Sequence, residues 1–142
     1  MRFPTLSELK LKAKKFVPSL NCVFCPRVID GDSLECVAYC DDAKTLYKFN
    51  VRVRGVDTPE MRSKDPEERE CAHRAKAYTE QQALGRKLEL ERVAHDKYGR
   101  ILADIRLSSG ELLHNLIIDS GHGVTYDGGK KPAFKKPAKK LA

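Results

Sequence analysis

The sequence predicts an α+β fold in which a five-stranded Greek-key β-barrel packs against helices. Three observations support this prediction. Residues 21–57 have the alternating pattern of β-strands, residues 65–85 have helical periodicity, and two further strands and a short helix follow. Such an order of elements is typical of α+β domains. The 142 residues are enough for one domain with a buried core.

The first 20 residues are predicted to form a short basic helix. Thr5 and Glu8 have the spacing of a capping box, and apolar residues then recur at helical intervals until Pro18. The segment carries a net charge of +4. We expect it either to dock on the domain or to form a mobile arm.

Three strands and a long helix come next. The strands are predicted at about 22–29, 33–40 and 45–56, separated by the turn-forming segments "DGD" and "CDDAK". The helix is predicted in "DPEERECAHRAKAYTEQQALG", where the expected end signals are Asp65 as the cap, Pro66 at the first position, Glu68 completing a capping box and Gly85 after the last turn. Its expected core face consists of Cys71, Ala75, Tyr78 and Gln82 or Ala83.

Two more strands and a final helix complete the pattern. The strands are predicted at about 87–93 and 100–107, joined by "AHDKYG", and the helix at about 111–120. Its expected core residues are Leu112, Leu113, Leu116 and Ile117, with Gly121 at its end. Short antiparallel strands of this number often curl into a barrel of the oligonucleotide-binding (OB-fold) type.

The positive charge belongs to the ends of the chain. The formal net charge is +7, but residues 129–142 alone carry +6, and residues 21–128 are mildly acidic at −3. We therefore divide the chain into a basic N-terminal helix or arm (1–20), a central domain (21–128) and a Lys/Pro-rich disordered tail (129–142). The tail fits two interpretations equally well, a solubilising end or a segment that attracts a polyanion.

The five cysteines suggest free thiols rather than a disulfide framework. Their number is odd, and no signal peptide or membrane-spanning run is evident, so we expect an intracellular protein without membrane association. The pairs "CVFC" and "CVAYC" also allow a zinc-stapled interaction domain. Against zinc, both pairs lie in predicted strands, where Cys22 and Cys25 would point to opposite faces.

Acidic residues lie at the ends of two predicted strands. "VIDGDSL" contains Asp30 and Asp32, a spacing that is also common in ordinary turns, and "VRVRGVDTPE" contains Asp57 and then Glu60. If the two strand ends are neighbours, Asp32 and Asp57 meet near one point. Two carboxylates with a backbone carbonyl such as that of Thr58, completed by water, describe a calcium site.

Arginines accompany these acids. Strand alternation places Arg52 and Arg54 on one face, and a buried Arg52 requires an anionic partner. Arg100 follows the tight turn "DKYG" and would point back over the sheet. Two guanidinium groups beside a metal could neutralise the growing charge of a reacting phosphate. For Arg100 alone, a surface salt bridge is the competing interpretation.

These motifs together resemble the staphylococcal nuclease (thermonuclease) family. "VIDGDSL", "VRVRGVDTPE" and, after a helix, "HDKYGRILADI" occur in the order and near the spacing of that family, and the resemblance extends over about residues 21–128. It implies an OB-fold-type five-stranded barrel with packed helices. It also implies calcium-dependent hydrolysis of phosphodiester bonds in DNA or RNA, at the bond between phosphorus and the 5′ oxygen, which leaves 3′-phosphate ends.

The resemblance also implies roles for individual residues. The expected metal ligands are Asp32, Asp57 and the Thr58 backbone carbonyl, with Asp30 in the outer environment of the calcium ion. The expected catalytic residues are Arg52 and Arg100, which grip the reacting phosphate, and Glu60, which activates or orients the attacking water. The expected substrate contacts are Lys97, Tyr98 and Tyr126.

The chain also departs from the type member of that family. It ends in the Pro/Lys tail where the type member continues into a third helix, Arg54 stands at an apolar position, and His122 replaces an apolar residue and is expected to be exposed. The alternative function is a non-catalytic nucleic-acid-binding module on the same barrel. The presence of Asp32, Arg52, Asp57, Glu60 and Arg100 together favours a nuclease acting on DNA, RNA or both. We expect the protein to be a monomer.

Overall fold

The fold is a closed β-barrel with two helices, seen in a computed structural model that describes residues 5–7, 21–39 and 44–135. The strands are β1 (Cys22–Asp30), β2 (Ser33–Tyr39), β3 (Leu46–Val53), β4 (Val56–Asp57), β5 (Lys87–His95), β6 (Ile101–Arg106) and β7 (Val124–Thr125). The helices are α1 (Pro66–Ala83) and α2 (Leu113–Asp119). The helix predicted in the first 20 residues lies outside the described residues, apart from 5–7. No helix in these ranges is long and apolar enough to cross a membrane.

The barrel follows the order β1-β2-β3-β6-β5 and closes where β5 pairs with β1. This confirms the predicted α+β class and the five-stranded barrel. One pair differs from the antiparallel expectation, because β3 and β6 are parallel, with Val51 opposite Ile101. A parallel pair requires a long crossover connection, which the chain makes through α1 and β5. The consequence is that the start of β6 lies beside the end of β3.

The third predicted strand is interrupted near its end. Gly55 has a φ of 88°, a conformation that glycine adopts more readily than other residues. The chain therefore turns at residues 54 and 55, and Val56 and Asp57 form the separate strand β4, which pairs with β7. This turn directs Asp57 towards the mouth of the barrel instead of along β3.

Helix α1 begins as predicted and buries Ala75 and Ala83 of its predicted core face. The Asp65 side chain accepts a hydrogen bond from the Glu67 N–H at 2.9 Å, and Pro66 occupies the first turn. The predicted capping box is wrong, because Glu68 bonds to the Glu60 backbone instead. The fully buried residues of α1 are Ala72, Ala75, Thr79 and Ala83. Cys71 and Tyr78, predicted to be in the core, are half-buried.

Small residues let α1 approach the turn between β1 and β2. Thr79 Oγ1 donates a hydrogen bond of 2.7 Å to the Gly31 carbonyl. A Cβ atom on Gly31 would lie 2.8 Å from Thr58 Cγ2 and 2.9 Å from Ala75 Cβ, so a larger residue does not fit there without a shift. This packing holds the Asp30–Asp32 turn against the mouth of the barrel.

The interior of the barrel is apolar, and its largest fully buried residues include Leu34, Leu88, Ile105, Leu113 and Ile117. The last two come from α2, as its predicted core face implied. The exposure expected for His122 is wrong. Its side chain is buried and stacks on Tyr78, with the ring centroids 4.8 Å apart.

The cysteines alternate in β1 as the strand pattern predicted. Cys22 is exposed and Cys25 is buried, so the two point to different faces. Cys25 and Cys36 lie in the core on neighbouring strands and form no disulfide. A hydrogen bond between the two thiols and burial raise the pKa of Cys36 far above its ordinary range. Cys36 therefore remains a neutral thiol.

Candidate functional site

All ten residues predicted to form the site line one cleft at the mouth of the barrel. The cleft has a volume of about 900 Å³. The ten residues are Asp30, Asp32, Arg52, Asp57, Thr58, Glu60, Lys97, Tyr98, Arg100 and Tyr126. They come from the end of β1 and the β1–β2 turn, the end of β3, β4 and the segment after it, the β5–β6 loop and the segment after β7. The parallel pairing of β3 and β6 brings these segments to the same edge of the barrel.

Asp32 joins the β1–β2 turn to the segment after β4. Its Oδ2 accepts two hydrogen bonds from Thr58, one from the backbone N–H and one from Oγ1, both at 3.0 Å. The Asp32 backbone N–H donates to Asp30 Oδ1 at 3.1 Å. Asp32 and Thr58 are both buried. The predicted meeting of the two strand ends is therefore present in the structure.

Arg52 is buried between the two aspartates. Its NH1 donates to the carbonyls of Val53 and Val56 at 2.9 and 2.8 Å. The same nitrogen lies 3.5 Å from Asp32 Oδ2, and NH2 lies 3.5 Å from Asp57 Oδ1. Arg52 thus has the anionic partners that a buried guanidinium requires. The carbonyl bonds fix its position at the base of the cleft.

The clustering of carboxylates changes their proton affinities. Burial and the nearby charge of Asp32 raise the pKa of Asp30 to about 7. Burial also raises the pKa of Asp57, and this effect outweighs the attraction of Lys131. For Asp32, burial acts in the same direction, but the charge of Arg52 and hydrogen bonds from Asp30 and Thr58 lower its pKa overall. This corner of the cleft carries more negative charge than Arg52 balances.

Glu60 stands at the open edge of this corner. Its backbone N–H donates to Glu68 Oε2 at 2.9 Å, and its exposed carboxylate forms an ion pair with Lys131. The Lys131 Nζ also lies 3.5 Å from Asp57 Oδ1. An ammonium group therefore bridges the Asp57 and Glu60 carboxylates.

Arg100 faces the cleft from the β5–β6 loop. Asp96 accepts hydrogen bonds from the Arg100 Nε at 2.7 Å and from its backbone N–H at 2.8 Å. The salt bridge considered for Arg100 thus exists, and it orients the guanidinium along the cleft wall. Tyr98 is exposed above it, with its ring centroid 5.7 Å from the Arg100 guanidinium carbon and 5.3 Å from the Lys97 Nζ.

Tyr126 closes the opposite side of the cleft. Its backbone N–H donates to the Gly55 carbonyl at 3.1 Å, which ties the segment after β7 to the turn after β3. The Tyr126 ring centroid lies 5.8 Å from the Arg52 guanidinium carbon, and its hydroxyl donates to the Gly129 carbonyl at 2.6 Å. The ring therefore lies close to the buried arginine, where it forms a wall of the cleft.

One family model matches the chain. It is described as "Staphylococcal nuclease homologue", and the match covers residues 50–141, more than half of the sequence. The chain belongs to the staphylococcal nuclease family. The matched range includes Arg52, Asp57, Glu60 and Arg100, whereas Asp32 precedes it. A search of the curated proteins found no match.

The acidic corner suits the calcium ion implied by membership of the nuclease family. Within 5–7, 21–39 and 44–135, no group of three or more His, Cys, Asp or Glu side chains has the arrangement of a metal site. The expected set is different, since it needs two carboxylates, a carbonyl and water, all oxygen donors of the kind calcium prefers. Asp32 and Asp57 share one arginine, and the Lys131 ammonium group stands beside Asp57. The residues present therefore fit a hard cation.

Several cleft residues were not predicted from the sequence. Lys131 was counted only as part of a basic tail, and nothing in a lysine-rich segment indicates which lysine reaches an acid. Arg92 lies in β5 with a φ of 50°, the one non-glycine residue with positive φ in the described ranges. Arg54, which the sequence left without a role, lines the same cleft as a member of a pair with Asp104.

Proposed function

We propose that this member of the staphylococcal nuclease family is a calcium-dependent nuclease. It would hydrolyse phosphodiester bonds of DNA or RNA by in-line attack of water and leave 3′-phosphate ends. The observation that carries the proposal is the convergence of Asp32 and Asp57 on the buried Arg52, in a cleft that Glu60 and Arg100 also line. A binding module has no need for two buried carboxylates at the position where a phosphate anion would lie.

Asp32, Asp57 and the Thr58 carbonyl would hold the calcium ion, with Asp30 in its outer environment. Bound there, the ion would polarise a phosphate oxygen and offset the charge that develops during the reaction. Asp32 is already oriented by its two hydrogen bonds from Thr58. The ordered turn therefore presents its carboxylate without further rearrangement.

Arg52 and Arg100 would bind the reacting phosphate. The Val53 and Val56 carbonyls hold the Arg52 guanidinium, and Asp96 holds that of Arg100. Planar guanidinium groups match phosphate oxygens in pairs, and fixed donors stabilise the pentacovalent phosphorus without reorganising. Two such groups in one cleft support a role in stabilising the transition state.

Glu60 would orient or deprotonate the attacking water. The water oxygen bonds to phosphorus as the bond to the 5′ oxygen breaks, the carboxylate accepts a proton from the attacking water, and the departing 5′ oxygen takes up a proton from solvent. Glu60 is exposed at the cleft edge, and its backbone is held by Glu68. In the resting protein its side chain pairs with Lys131, which substrate would have to displace.

Lys97, Tyr98 and Tyr126 would contact the rest of the nucleotide. Tyr98 is 73% exposed, which leaves its ring available for stacking on a base. Lys97 lies next to that ring and can reach a neighbouring phosphate. Tyr126 is held by backbone and hydroxyl hydrogen bonds beside Arg52.

Digestion of single-stranded DNA and RNA tests this function. We expect cleavage with calcium, none with chelator, and 3′-phosphate ends on the products. Arg52→Ala and Glu60→Gln should each reduce the rate by at least about a hundredfold, a size typical of lost general-base or charge stabilisation. Arg74→Gln, an exposed arginine on α1, is the matched control. Oligonucleotide binding without cleavage would instead establish the binding module.

A further inference from the structure

A pair of arginines lies on the cleft wall beyond the site described above. Arg54 and Arg92 both line the cleft, and both face the carboxylate of Asp104. Asp104 accepts two hydrogen bonds from Arg92, from Nε at 2.6 Å and from NH2 at 3.1 Å. The Arg54 Nε lies 4.0 Å from the same carboxylate. One buried acid thus faces two guanidinium groups, which leaves a net positive charge.

The backbone is shaped to hold this pair. A bulge interrupts the pairing of β5 with β6 between Glu91 and Ala94, and Arg92 within it has a φ of 50°. Bulges redirect side chains, and left-handed conformations of residues other than glycine persist where surrounding contacts impose them. Here the Arg92 carbonyl accepts a hydrogen bond of 2.5 Å from the Arg54 NH2. The Arg54 backbone N–H in turn donates to the Ala103 carbonyl at 2.9 Å.

The two guanidinium groups retain capacity for a further anion. Asp104 occupies two of the five donor hydrogens of Arg92, whose side chain is 68% exposed. The Arg54 Nε is buried and makes no hydrogen bond within the described residues, so Asp104 does not satisfy Arg54 fully. The same two strands carry a contrasting pair, in which Arg106 bonds to Glu91 through Nε at 2.6 Å and NH2 at 3.0 Å. That pair is one acid with one arginine, and Arg106 does not line the cleft.

We propose that Arg54 and Arg92, positioned by Asp104, form a further phosphate subsite that binds a phosphodiester of the polynucleotide beyond the one held by Arg52 and Arg100. This inference rests on the proposed function for its ligand. Strand β6 lies between β3 and β5, so Arg54 after β3 and Arg92 in β5 face each other across Asp104 of β6 in the cleft that Arg52 also lines. Because contacts to phosphate carry no sequence information, we expect binding at this subsite to be independent of the base sequence.

The test measures binding of fluorescently labelled single-stranded oligonucleotides, a trimer and a dodecamer, by anisotropy in chelator over a range of salt. The variants are Arg54→Gln, Arg92→Gln and the control Arg106→Gln. Each lost phosphate contact reduces the slope of log affinity against log salt by about 0.7. For the dodecamer and either cleft variant, we therefore expect the ratio of wild-type affinity to variant affinity to fall by about 2.6-fold between 50 and 200 mM salt. Trimer binding should stay within twofold of wild type.

Arg92→Lys retains the charge and should restore the wild-type slope of log affinity against log salt. If the effect of Arg92→Gln came only from a change in the bulge, Arg92→Lys would not restore that slope. Slopes for both cleft variants equal to that of Arg106→Gln would overturn the proposal, and so would a wild-type chain that binds no dodecamer. Calcium-dependent cleavage of the trimer is measured in parallel. Cleavage without the slope change would contradict the subsite but not the nuclease function. The slope change without cleavage would support the subsite and contradict the nuclease function.

Discussion

Glu68 holds the backbone of Glu60, because the Glu68 Oε2 accepts a hydrogen bond from the Glu60 N–H at 2.9 Å. The bond joins the first turn of α1 to the segment that follows β4. Glu68 itself does not line the cleft, so we regard it as a positioning residue. Its effect on the proposed reaction acts through the placement of Glu60.

Glu68→Ala should reduce kcat about tenfold with little change in KM. A hydrogen bond to a charged acceptor contributes about 1.5–3 kcal/mol, and about 1.4 kcal/mol of barrier corresponds to a factor of ten. Steady-state cleavage of a short oligonucleotide provides the measurement. Glu70→Ala on the same helix, which removes an exposed partner of Arg74, is the control. A rate equal to that of the control would show that Glu60 needs no such support.

Gly31→Ala should destabilise the protein by about 1–3 kcal/mol, the usual cost of overpacking a tight contact. The new methyl group would lie 2.8 Å from Thr58 Cγ2 and 2.9 Å from Ala75 Cβ. Urea unfolding followed by circular dichroism measures the change. Gly129→Ala adds a methyl group near the flexible Asp127 carboxylate, at 3.2 Å from its Oδ1, and should change stability by less than about 0.5 kcal/mol. Equal stabilities for the two variants would contradict the close packing of α1.

Lys131→Met should increase calcium affinity several-fold. The Lys131 ammonium group lies 3.5 Å from Asp57 Oδ1 and pairs with Glu60, so it competes with a cation for the same carboxylates. Isothermal titration calorimetry without nucleic acid isolates metal binding from catalysis. Lys130→Met is the control, since Lys130 is the adjacent lysine and also lines the cleft. An affinity no higher than that of Lys130→Met would mean that Lys131 does not mask the site.

Asp96→Asn should reduce stability at neutral pH but not in acid. Burial would raise the pKa of Asp96, but hydrogen bonds from Arg100 and the Tyr98 backbone outweigh it and lower this pKa below its ordinary value of 3.8. A lowered pKa stabilises the folded state above the unfolded pKa, and this stabilisation disappears as the pH falls through the folded pKa. Urea unfolding should therefore show the full difference at pH 7 and pH 5. The difference should shrink below pH 3.8. A constant difference across this range would exclude the ionised pair as its source.

Deleting residues 136–142 should weaken oligonucleotide binding and make it less sensitive to salt, while leaving the rate of the chemical step unchanged. The deletion removes three lysines and retains Lys131. The slope of log affinity against log salt should fall by up to about 2 if all three neutralise phosphates. A chain of full length with these lysines replaced by glutamine separates charge from length. Equal salt slopes for the deleted and intact chains would favour the solubilising interpretation of the tail.

Much of the fold follows from local patterns in the sequence. Alternation in β1 separates Cys22 from Cys25, and Asp65 caps α1 as its sequence signal predicts. The proximity of the motif residues Asp32, Arg52 and Asp57 could be predicted from the sequence because each lies near a predicted strand end. These features depend on the backbone period and on the neighbours of each residue, which a sequence displays directly.

Other features depend on distances that local patterns do not contain. Glu68 has the spacing of a capping box, yet it accepts a hydrogen bond from the Glu60 N–H, and the Asp65 N–H donates to Ser63 Oγ instead. His122 follows a helix at a position that usually faces solvent, but Tyr78 provides a ring for it to stack on. Asp104 becomes the partner of Arg54 only because β6 pairs with β3, and the two residues are far apart in the sequence. Tertiary packing decides such cases.

The parallel pairing of β3 with β6 also determines when the site can exist. Arg52 belongs to β3, and Arg100 immediately precedes β6, so the two arginines come together only after the second half of the chain has joined the barrel. A nascent chain that ends after β3 contains Arg52 but not Arg100, and so has one of the two arginines proposed to bind the reacting phosphate. Under the proposed function, the nascent polypeptide would therefore acquire its complete site only once β6 has been made and has paired with β3.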